Sequence, residues 1–147
     1  MATFLLVVKR SEFQLEVWKR RTLPPRRYDL LKTIGISIGM KGHETPADCY
    51  YVIAKARYPE WRMPDSDWVK PGLRGTVIPG DSPKDPHPEN PIKEAFLRLT
   101  EDGVGIHGTE QLNSLGTAAS HGCIRVTPRH AVWLHRRIKK LTPVVIL

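Results

Sequence analysis

The chain has 147 residues, of which 40% are hydrophobic and 26% are charged, the composition of a globular domain long enough to bury a core. No apolar stretch approaches the roughly 18 residues of a membrane helix. The first apolar run, residues 4–8, has no basic region before it and predicts a strand, so we expect no export signal here.

The net charge is +8, which favours either a solvated basic surface or attraction to a polyanion. The polyanion is either nucleic acid or an acidic cell-surface polymer. No nucleic-acid motif accompanies the basic clusters, and no aromatic residues are interleaved with them. We therefore expect no nucleic-acid partner.

Alternating side chains predict antiparallel strands in the N-terminal half. Residues 13–18 alternate with a period of two, and the isoleucines of residues 34–38 repeat the pattern. Gly35 and Gly39 mark bends or close approaches of the backbone. Residues 49–56, rich in tyrosine and valine, predict a further strand.

Residues 59–91 hold eight of the thirteen prolines and predict a long irregular loop. Trp61 and Trp68 favour a packed loop that binds substrate, although two indoles that only anchor the loop to the core remain an alternative. Asn90 and Pro91 predict the cap of a short helix.

The C-terminal part begins with a turn at residues 101–103 and a short strand, residues 104–106, that leads into His107. Thr127 followed by Pro128 predicts the start of a helix. Four residues at helical spacing predict its buried face: Ala131, Leu134, Ile138 and Leu141. With a last strand at residues 143–147, the pattern predicts one mainly β domain over residues 1–147.

Cys123 lies in the stretch TAASHGCIRVTP, with a histidine, a glycine and an arginine within two residues. Cationic neighbours favour the thiolate and lower the pKa of a cysteine. A nucleophilic cysteine also needs a base, usually histidine. If the chain is extended here, His121 shares a face with Cys123; if it turns at Gly122, His107 on an adjacent strand is better placed.

The neighbouring residues suit acyl transfer. A glycine before the nucleophile lets the amides of Gly122 and Cys123 point at a developing oxyanion. We expect the Ser120 and Thr109 hydroxyls to hold the histidines by hydrogen bonds. Arg125 either binds a substrate carboxylate or forms a structural salt bridge.

Other chemistry is less well supported. A zinc centre of His107, His121 and Cys123 lacks the usual C-x-x-C or H-E-x-x-H spacing, so we expect no metal and no cofactor. A serine hydrolase lacks the G-x-S-x-G elbow. Cys49 is expected to be a buried thiol. The remaining histidines are expected on the surface or on a helix face: His43, His87, His130 and His135.

The stretch IHGTEQLNSLGTAASHGCIRV, residues 106–126, closely resembles the signature of the L,D-transpeptidase (YkuD-type) catalytic domain. The signature is a His-Gly pair, a loop of fixed length, then Ser/Thr-His-Gly-Cys, an apolar residue and Arg or Asn. The resemblance extends through GHETPADCYYV and PEWRMPDSDW to the N-terminal strands. It implies a β-sandwich of mixed sheets that holds the cysteine motif.

The resemblance also implies a reaction. Cys123 attacks the carbonyl before the terminal D-alanine of a peptidoglycan tetrapeptide stem, and an amine of a second stem resolves the thioester to give a 3→3 cross-link. His107 is the implied base, oriented by the carbonyl of Gly108. His121 then shapes the site, and the amides of Gly122 and Cys123 form the oxyanion hole. Peptidoglycan stem peptides are the implied partners, anionic cell-wall polymers are possible ones, and carbapenems are expected inhibitors.

Two points depart from the family pattern: Asp48 stands where glycine is usual, and ENPIKEAF is a loose version of an Asn-Pro-Leu-Gly segment. The family works outside the membrane, so a cell-wall location is expected, either after removal of a leader or with a cytoplasmic role as the alternative. Two rivals share the scaffold: an L,D-carboxypeptidase, in which water resolves the thioester, and a non-catalytic module that binds the cell wall.

Overall fold

The computed structural model describes residues 2–100 and 103–147, so residues 101 and 102 of the predicted turn lie outside the described residues. The strands are β1 (Phe4–Lys9), β2 (Gln14–Arg20), β3 (Tyr28–Gly35), β4 (Ile38–Gly39), β5 (Asp48–Arg57), β6 (Trp61–Arg62), β7 (Val77–Ile78), β8 (Ala95–Leu99), β9 (Gly105–Gly108), β10 (Ala118–Ser120), β11 (Ile124–Val126) and β12 (Pro143–Ile146). The helical elements are α1 (Pro128–Arg137) and short 3-10 turns at Arg10–Glu12, Pro71–Leu73 and Leu112–Ser114. The predicted mainly β fold with a C-terminal helix is confirmed.

Eight strands form one mixed sheet in the order β11-β9-β8-β5-β12-β1-β2-β3. The long strand β5 pairs with β12 through residues 48–51 and with β8 through residues 52–57. Its register shifts between Val52 and Ala54, so the sheet has two arms that share β5. The pairs β1–β12 and β9–β11 are parallel, which makes the sheet mixed.

The two ends of this sheet meet. Ser37, which follows β3, forms an antiparallel bridge with Arg125 of β11, and each N–H donates to the other residue's carbonyl at 2.9 and 3.0 Å. Because β3 and β11 are the end strands, the bridge curls the sheet around its core. This junction lies two residues from Cys123.

The buried apolar side chains of both arms and of α1 form one contiguous cluster. Alternate residues of β1 and β2 enter it, as the predicted period of two requires; Leu6, Val8, Leu15 and Val17 are fully buried. Burial of each such side chain contributes roughly 1.5–3 kcal/mol. The core therefore fixes the strands that carry the candidate site.

The helix begins as predicted and ends earlier. The Thr127 hydroxyl accepts a hydrogen bond from the His130 N–H at 3.1 Å, which confirms the N-cap. The predicted position of Leu141 on the buried face is wrong. The helix ends at Arg137, and Leu141 has a φ of 70° and is 72% exposed, because the chain turns there to enter β12. In the described parts of the chain, no helix is long and apolar enough to cross a membrane.

Residues 59–91 contain a small hairpin, in which β6 pairs with β7. The predicted helix at Asn90 is wrong. Asn90 is buried and its side-chain amide donates to the carbonyls of Pro59 and Pro79 at 3.0 and 2.9 Å. The amide thus ties the end of this proline-rich segment to its beginning and to the strand β7 region. The expectation of a buried Cys49 is also wrong, because Cys49 is exposed at the start of β5.

Candidate active site

Cys123 follows a sharp turn at Gly122. The φ of Gly122 is 124°, a conformation that side chains other than glycine rarely adopt. Of the two arrangements that the sequence left open, the chain therefore adopts the turn, and His121 and Cys123 do not continue one extended strand. The turn brings Cys123 to the start of β11, which pairs in parallel with β9.

A buried threonine holds this turn and was missed by the sequence reasoning. The Thr45 hydroxyl donates to the Gly122 carbonyl at 2.8 Å and accepts from the Gly39 N–H at 2.9 Å. Gly39 is required here, because a Cβ at this position would lie 2.0 Å from the carbonyl oxygen of His43. Its only signal in the sequence is the Thr-Pro pair within GHETPADCYYV, a stretch that belongs to the family resemblance.

Ser120 fastens the same turn from inside. Its hydroxyl donates to the Cys123 carbonyl at 2.6 Å and accepts from the Gly122 N–H at 3.2 Å. The expectation that Ser120 holds a histidine is therefore wrong. The Gly122 amide, predicted to face an oxyanion, is engaged within the turn. Within residues 103–147 and 2–100, no acceptor engages the Cys123 amide, so this donor stays available.

His107 is the histidine that lies beside the cysteine strand. It is buried on β9, directly opposite Arg125 of β11 in the parallel register. The Gly105 N–H, two residues before His107, hydrogen-bonds to the Cys123 sulfur, and the thiol donates to the Gly103 carbonyl at an Sγ–O distance of 3.4 Å. The thiol therefore lies against the start of the strand that carries His107.

The orientation of His107 follows from one hydrogen bond. Its Nδ1 lies 2.7 Å from the carbonyl oxygen of Gly108. A carbonyl only accepts, so Nδ1 carries the proton and Nε2 is left as the basic nitrogen. The arrangement agrees with the role that the resemblance implied for Gly108.

Burial keeps both groups of the pair neutral near pH 7. Burial lowers the pKa of His107 to about 4, although the hydrogen bond to the Gly108 carbonyl acts in the opposite direction. Burial also raises the pKa of the Cys123 thiol, although the Gly105 amide and the Arg125 charge both lower it. The prediction of a depressed thiol pKa is wrong: Arg125 acts in the expected direction, but loss of water around the sulfur outweighs it.

Arg125 is half-buried, and its Nη1 donates to the side-chain oxygen of Gln111 at 3.1 Å. Among the described residues it has no carboxylate partner, so the structural salt bridge is not found there. Burial lowers the pKa of Arg125, yet the guanidinium stays charged. Its role towards a substrate carboxylate remains a prediction.

Thr109 holds the backbone of Gln111, the residue that binds Arg125. It is buried, and its hydroxyl accepts from the Gln111 N–H at 3.1 Å while its own N–H donates to the Val126 carbonyl. The expectation that the Thr109 hydroxyl holds a histidine is therefore wrong. Whether Thr109 contacts a substrate remains a prediction.

The proline-rich segment folds back onto the cysteine turn through aromatic rings. Trp68 stacks on His121 with ring centroids 3.8 Å apart, and Trp61 stacks on Trp68 at 6.5 Å. His43, expected on the open surface, packs edge-on against the other side of His121 at 5.1 Å. The segment is therefore packed, with its indoles on the turn that carries Cys123. Whether Trp61 and Trp68 contact a substrate remains a prediction.

The zinc alternative finds no ligand set in the described residues, which contain no cluster of three or more His, Cys, Asp or Glu side chains suited to a metal ion. The arrangement instead offers a thiol, an oriented neutral base, a free amide and a guanidinium on or beside the paired strands β9 and β11. Such a set can perform nucleophilic acyl transfer.

Comparisons with known proteins identify a family. The family model of YkuD, described as L,D-transpeptidase catalytic domain, matches residues 3–146. A Bacillus licheniformis protein named "Putative L,D-transpeptidase YkuD" is 39% identical over 51 residues, which are 35% of this chain and 31% of that protein.

Two solved structures share the fold. One is the L,D-transpeptidase LdtMt1 in complex with imipenem, with a TM-score of 0.70, 20% identity, and 99% of this chain matched to 59% of that one. The other is L,D-transpeptidase 3 of Mycobacterium tuberculosis with a faropenem-derived adduct, with a TM-score of 0.68, 20% identity, and coverage of 98% and 60%. This chain thus spans about 60% of the length of these structural neighbours.

Proposed function

This chain belongs to the family of YkuD-type L,D-transpeptidase catalytic domains, and from that premise we propose that it forms 3→3 peptidoglycan cross-links through a thioester on Cys123. The observation that carries the proposal is the parallel pairing of β9 with β11, which sets the buried His107 beside the strand of Cys123. Because Cys123 and His107 are both neutral at rest, the thiol proton moves to His107 as the sulfur attacks.

In the first half-reaction the donor is a tetrapeptide stem whose terminal residue is D-alanine. As the Cys123 sulfur bonds to the carbonyl carbon before that residue, the thiol proton passes to Nε2 of His107. The oxyanion accepts a hydrogen bond from the Cys123 amide. The bond to the D-alanine nitrogen then breaks, this nitrogen takes the proton from His107, and a thioester remains.

In the second half-reaction an amine of another stem attacks the thioester carbonyl. His107 accepts a proton from this amine and returns it to the sulfur as the carbon–sulfur bond breaks. The products are the cross-linked peptide and the free thiol. Because His107 is neutral at pH 7, it can serve as the base in both half-reactions.

Arg125 is the residue we assign to a donor carboxylate. Its guanidinium lies in the same electrostatic neighbourhood as Cys123 and His107, and its only side-chain partner in the described chain is the neutral Gln111 amide. A bidentate pair with a carboxylate of the stem would fix the donor carbonyl near the sulfur. Arg125→Lys keeps the charge and loses the fork, so it should raise KM for the donor more than it lowers kcat.

The proline-rich segment favours transfer to an amine over hydrolysis. Trp68 lies on His121 and so covers part of the cysteine turn, and a covered thioester is less accessible to bulk water. The L,D-carboxypeptidase alternative uses the same thioester with water as the acceptor. Mass analysis of the products distinguishes a trimmed tripeptide from a cross-linked dimer.

The first test is the intact mass of the protein after incubation with a carbapenem, a mimic of the acyl donor. We expect one adduct per chain on the wild type and none on Cys123→Ala. Circular dichroism should show the same fold for both proteins. The expectation rests on the structural neighbour that was solved with imipenem. An adduct on both proteins, or cross-linking activity retained by Cys123→Ala, would overturn the assignment of the nucleophile.

The cellular setting follows from the substrate. Peptidoglycan lies outside the cytoplasmic membrane, so we propose that the protein works at the cell wall. Fractionation of cells that express the tagged full-length gene product would test this, and a purely cytoplasmic pool would contradict it.

A further inference from the structure

An open groove, about 690 Å³ in volume, runs along α1. Neither Cys123 nor His107 lines it, so it is separate from the site described above. Its lining contains Arg129, Arg136 and Arg137 against one acidic residue, Glu94. The groove is therefore a concentration of positive charge on a protein that is already basic.

The arginines of this groove have no ion-pair partners within residues 2–100 and 103–147. The helix itself, PRHAVWLHRR, carries no acidic residue. Some other cations of the chain are paired: Arg27 lies 2.9 Å from Asp29, and Lys93 lies 2.9 Å from Asp81. The groove thus gathers three arginines without an ion-pair partner in the described chain on one short helix.

Neighbouring strands add to the positive potential around the helix. After burial, the Lys32 and Arg129 charges are the causes that lower the pKa of His130. On the next turns, Lys55 and Arg57 lower the pKa of His135 in the same way. Cations from β3 and β5 therefore surround α1 together with its own arginines.

Trp133 holds part of this charge in place. The Arg137 guanidinium lies 4.5 Å from the centre of its ring, and the Lys32 ammonium lies 5.3 Å from it. Such contacts restrict the cations without neutralising them. Because both cations already occupy the indole, it offers no free platform on which a nucleic-acid base could stack.

The spacing of the cations indicates an extended ligand. Arg129 and Arg136 are seven residues apart, which corresponds to about 10 Å along the helix axis. A single small anion cannot contact both, whereas a chain with an anionic group in every repeat can. The groove also borders Leu112, next to the Gln111 that binds Arg125, so a polymer here would run past the edge of the catalytic site.

We propose that the α1 groove binds a linear polymer of phosphodiester-linked polyol units, at a site distinct from Cys123. Each repeat of such a polymer carries one in-line phosphate, which the arginine forks contact, and its backbone is flexible and needs no stacking surface. This inference does not depend on the proposed reaction.

The test measures binding of fluorescein-labelled poly(glycerol phosphate) by fluorescence anisotropy over a range of salt concentrations. The variant is R129Q/R136Q, which spares the Arg137–Trp133 contact. The control is K19Q/R26Q, which removes the same charge from exposed residues elsewhere. We expect the variant to weaken binding about tenfold or more, and to lower the slope of log affinity against log salt by about 1–2. The control should stay within about twofold of the wild type.

Further arms separate the explanations. R129K/R136K keeps both charges and loses the forks, so it should recover the wild-type salt slope with weaker binding than the wild type. The acylation of Cys123 by a carbapenem should be unchanged in all four proteins. Equal losses in R129Q/R136Q and K19Q/R26Q would overturn the inference, because net charge alone would explain them. Binding of polygalacturonate or duplex DNA with the same affinity as poly(glycerol phosphate) would overturn the assignment to a phosphodiester polyol. Absence of binding to the labelled polymer would overturn the inference outright.

Discussion

Replacement of His107 by asparagine should remove much of the acid sensitivity of folding. His107 is buried, and burial lowers its pKa from the ordinary 6.5 to about 4, so the folded protein excludes a proton that the unfolded chain binds. Stability is therefore complete above pH 6.5 and is lost as the pH falls from there towards 4. Asparagine cannot titrate, but its side-chain N–H can still donate to the Gly108 carbonyl.

The magnitude follows from the two pKa values of this one side chain. At pH 5.0 the imidazole is about 97% protonated in the unfolded chain and about 9% protonated in the fold. The resulting shift in the folding equilibrium is about 30-fold, which corresponds to about 2 kcal/mol. Well below pH 4 the loss approaches about 3 kcal/mol, a large part of the stability of a domain of this size.

The assay is urea unfolding of the wild type and His107→Asn at pH 7.5 and at pH 5.0. The cavity left by asparagine destabilises the variant equally at both pH values, so it cancels in the comparison. The other histidines titrate in both proteins and cancel as well. We expect the wild type to lose about 2 kcal/mol more than the variant between the two pH values. An equal loss in the two proteins would refute the argument, because it would mean that His107 is solvated and binds protons normally in the fold.

Three further predictions address the cysteine, the turn and the aromatic stack. Because burial raises the pKa of Cys123 and His107 is already a neutral base, the rate of carbapenem acylation should be nearly independent of pH from about 6 to 8 and should be lower in D2O. Thiolate absorbance of the resting protein at pH 7 would indicate a preformed thiolate instead. Thr45→Val should lower the free energy of unfolding by about 2–3 kcal/mol, because it leaves the Gly122 carbonyl without its buried donor. Thr45→Ser keeps the hydroxyl, so it should lower that free energy by less than about 1 kcal/mol and keep the acylation rate. Equal losses for the two variants in thermal melts would assign the effect to packing alone. Trp68→Ala and His121→Ala should each increase proteolytic cleavage within residues 59–91 and shift the products from cross-linked dimer to hydrolysed tripeptide. His121→Phe keeps a ring for stacking, so it should restore the wild-type cleavage and products. Failure of this rescue would show that stacking does not hold the segment.

Several features of the protein could be read from the sequence because they depend on local chemistry. The alternation of residues 13–18 predicts one buried face of a strand, since successive side chains point to opposite sides. Thr127 and Pro128 predict a helix start, because a hydroxyl before a proline satisfies the first free amides. The motif around Cys123 indicates the family and predicts the nucleophile by itself.

The end of the helix and the role of Asn90 depended on contacts far along the chain. Leu141 fits the helical spacing, but the chain leaves the helix at Arg137 because residues 143–146 pair with β1 and β5. Asn90 beside Pro91 is typical of a helix start, yet its amide bonds carbonyls more than ten residues away. Neither partner is visible in a local window of sequence.

By itself, the sequence determined which groups can react: a cysteine, two candidate histidines and an arginine within one motif. Only the tertiary structure decided which histidine lies beside the thiol strand and which charge states the pair holds, because both depend on the parallel pairing of β9 with β11 and on burial. The neighbours of Cys123 in sequence predict a lowered thiol pKa, whereas burial raises it. Exclusion of water is a property of the whole packed core, and no stretch of residues around the motif encodes it alone.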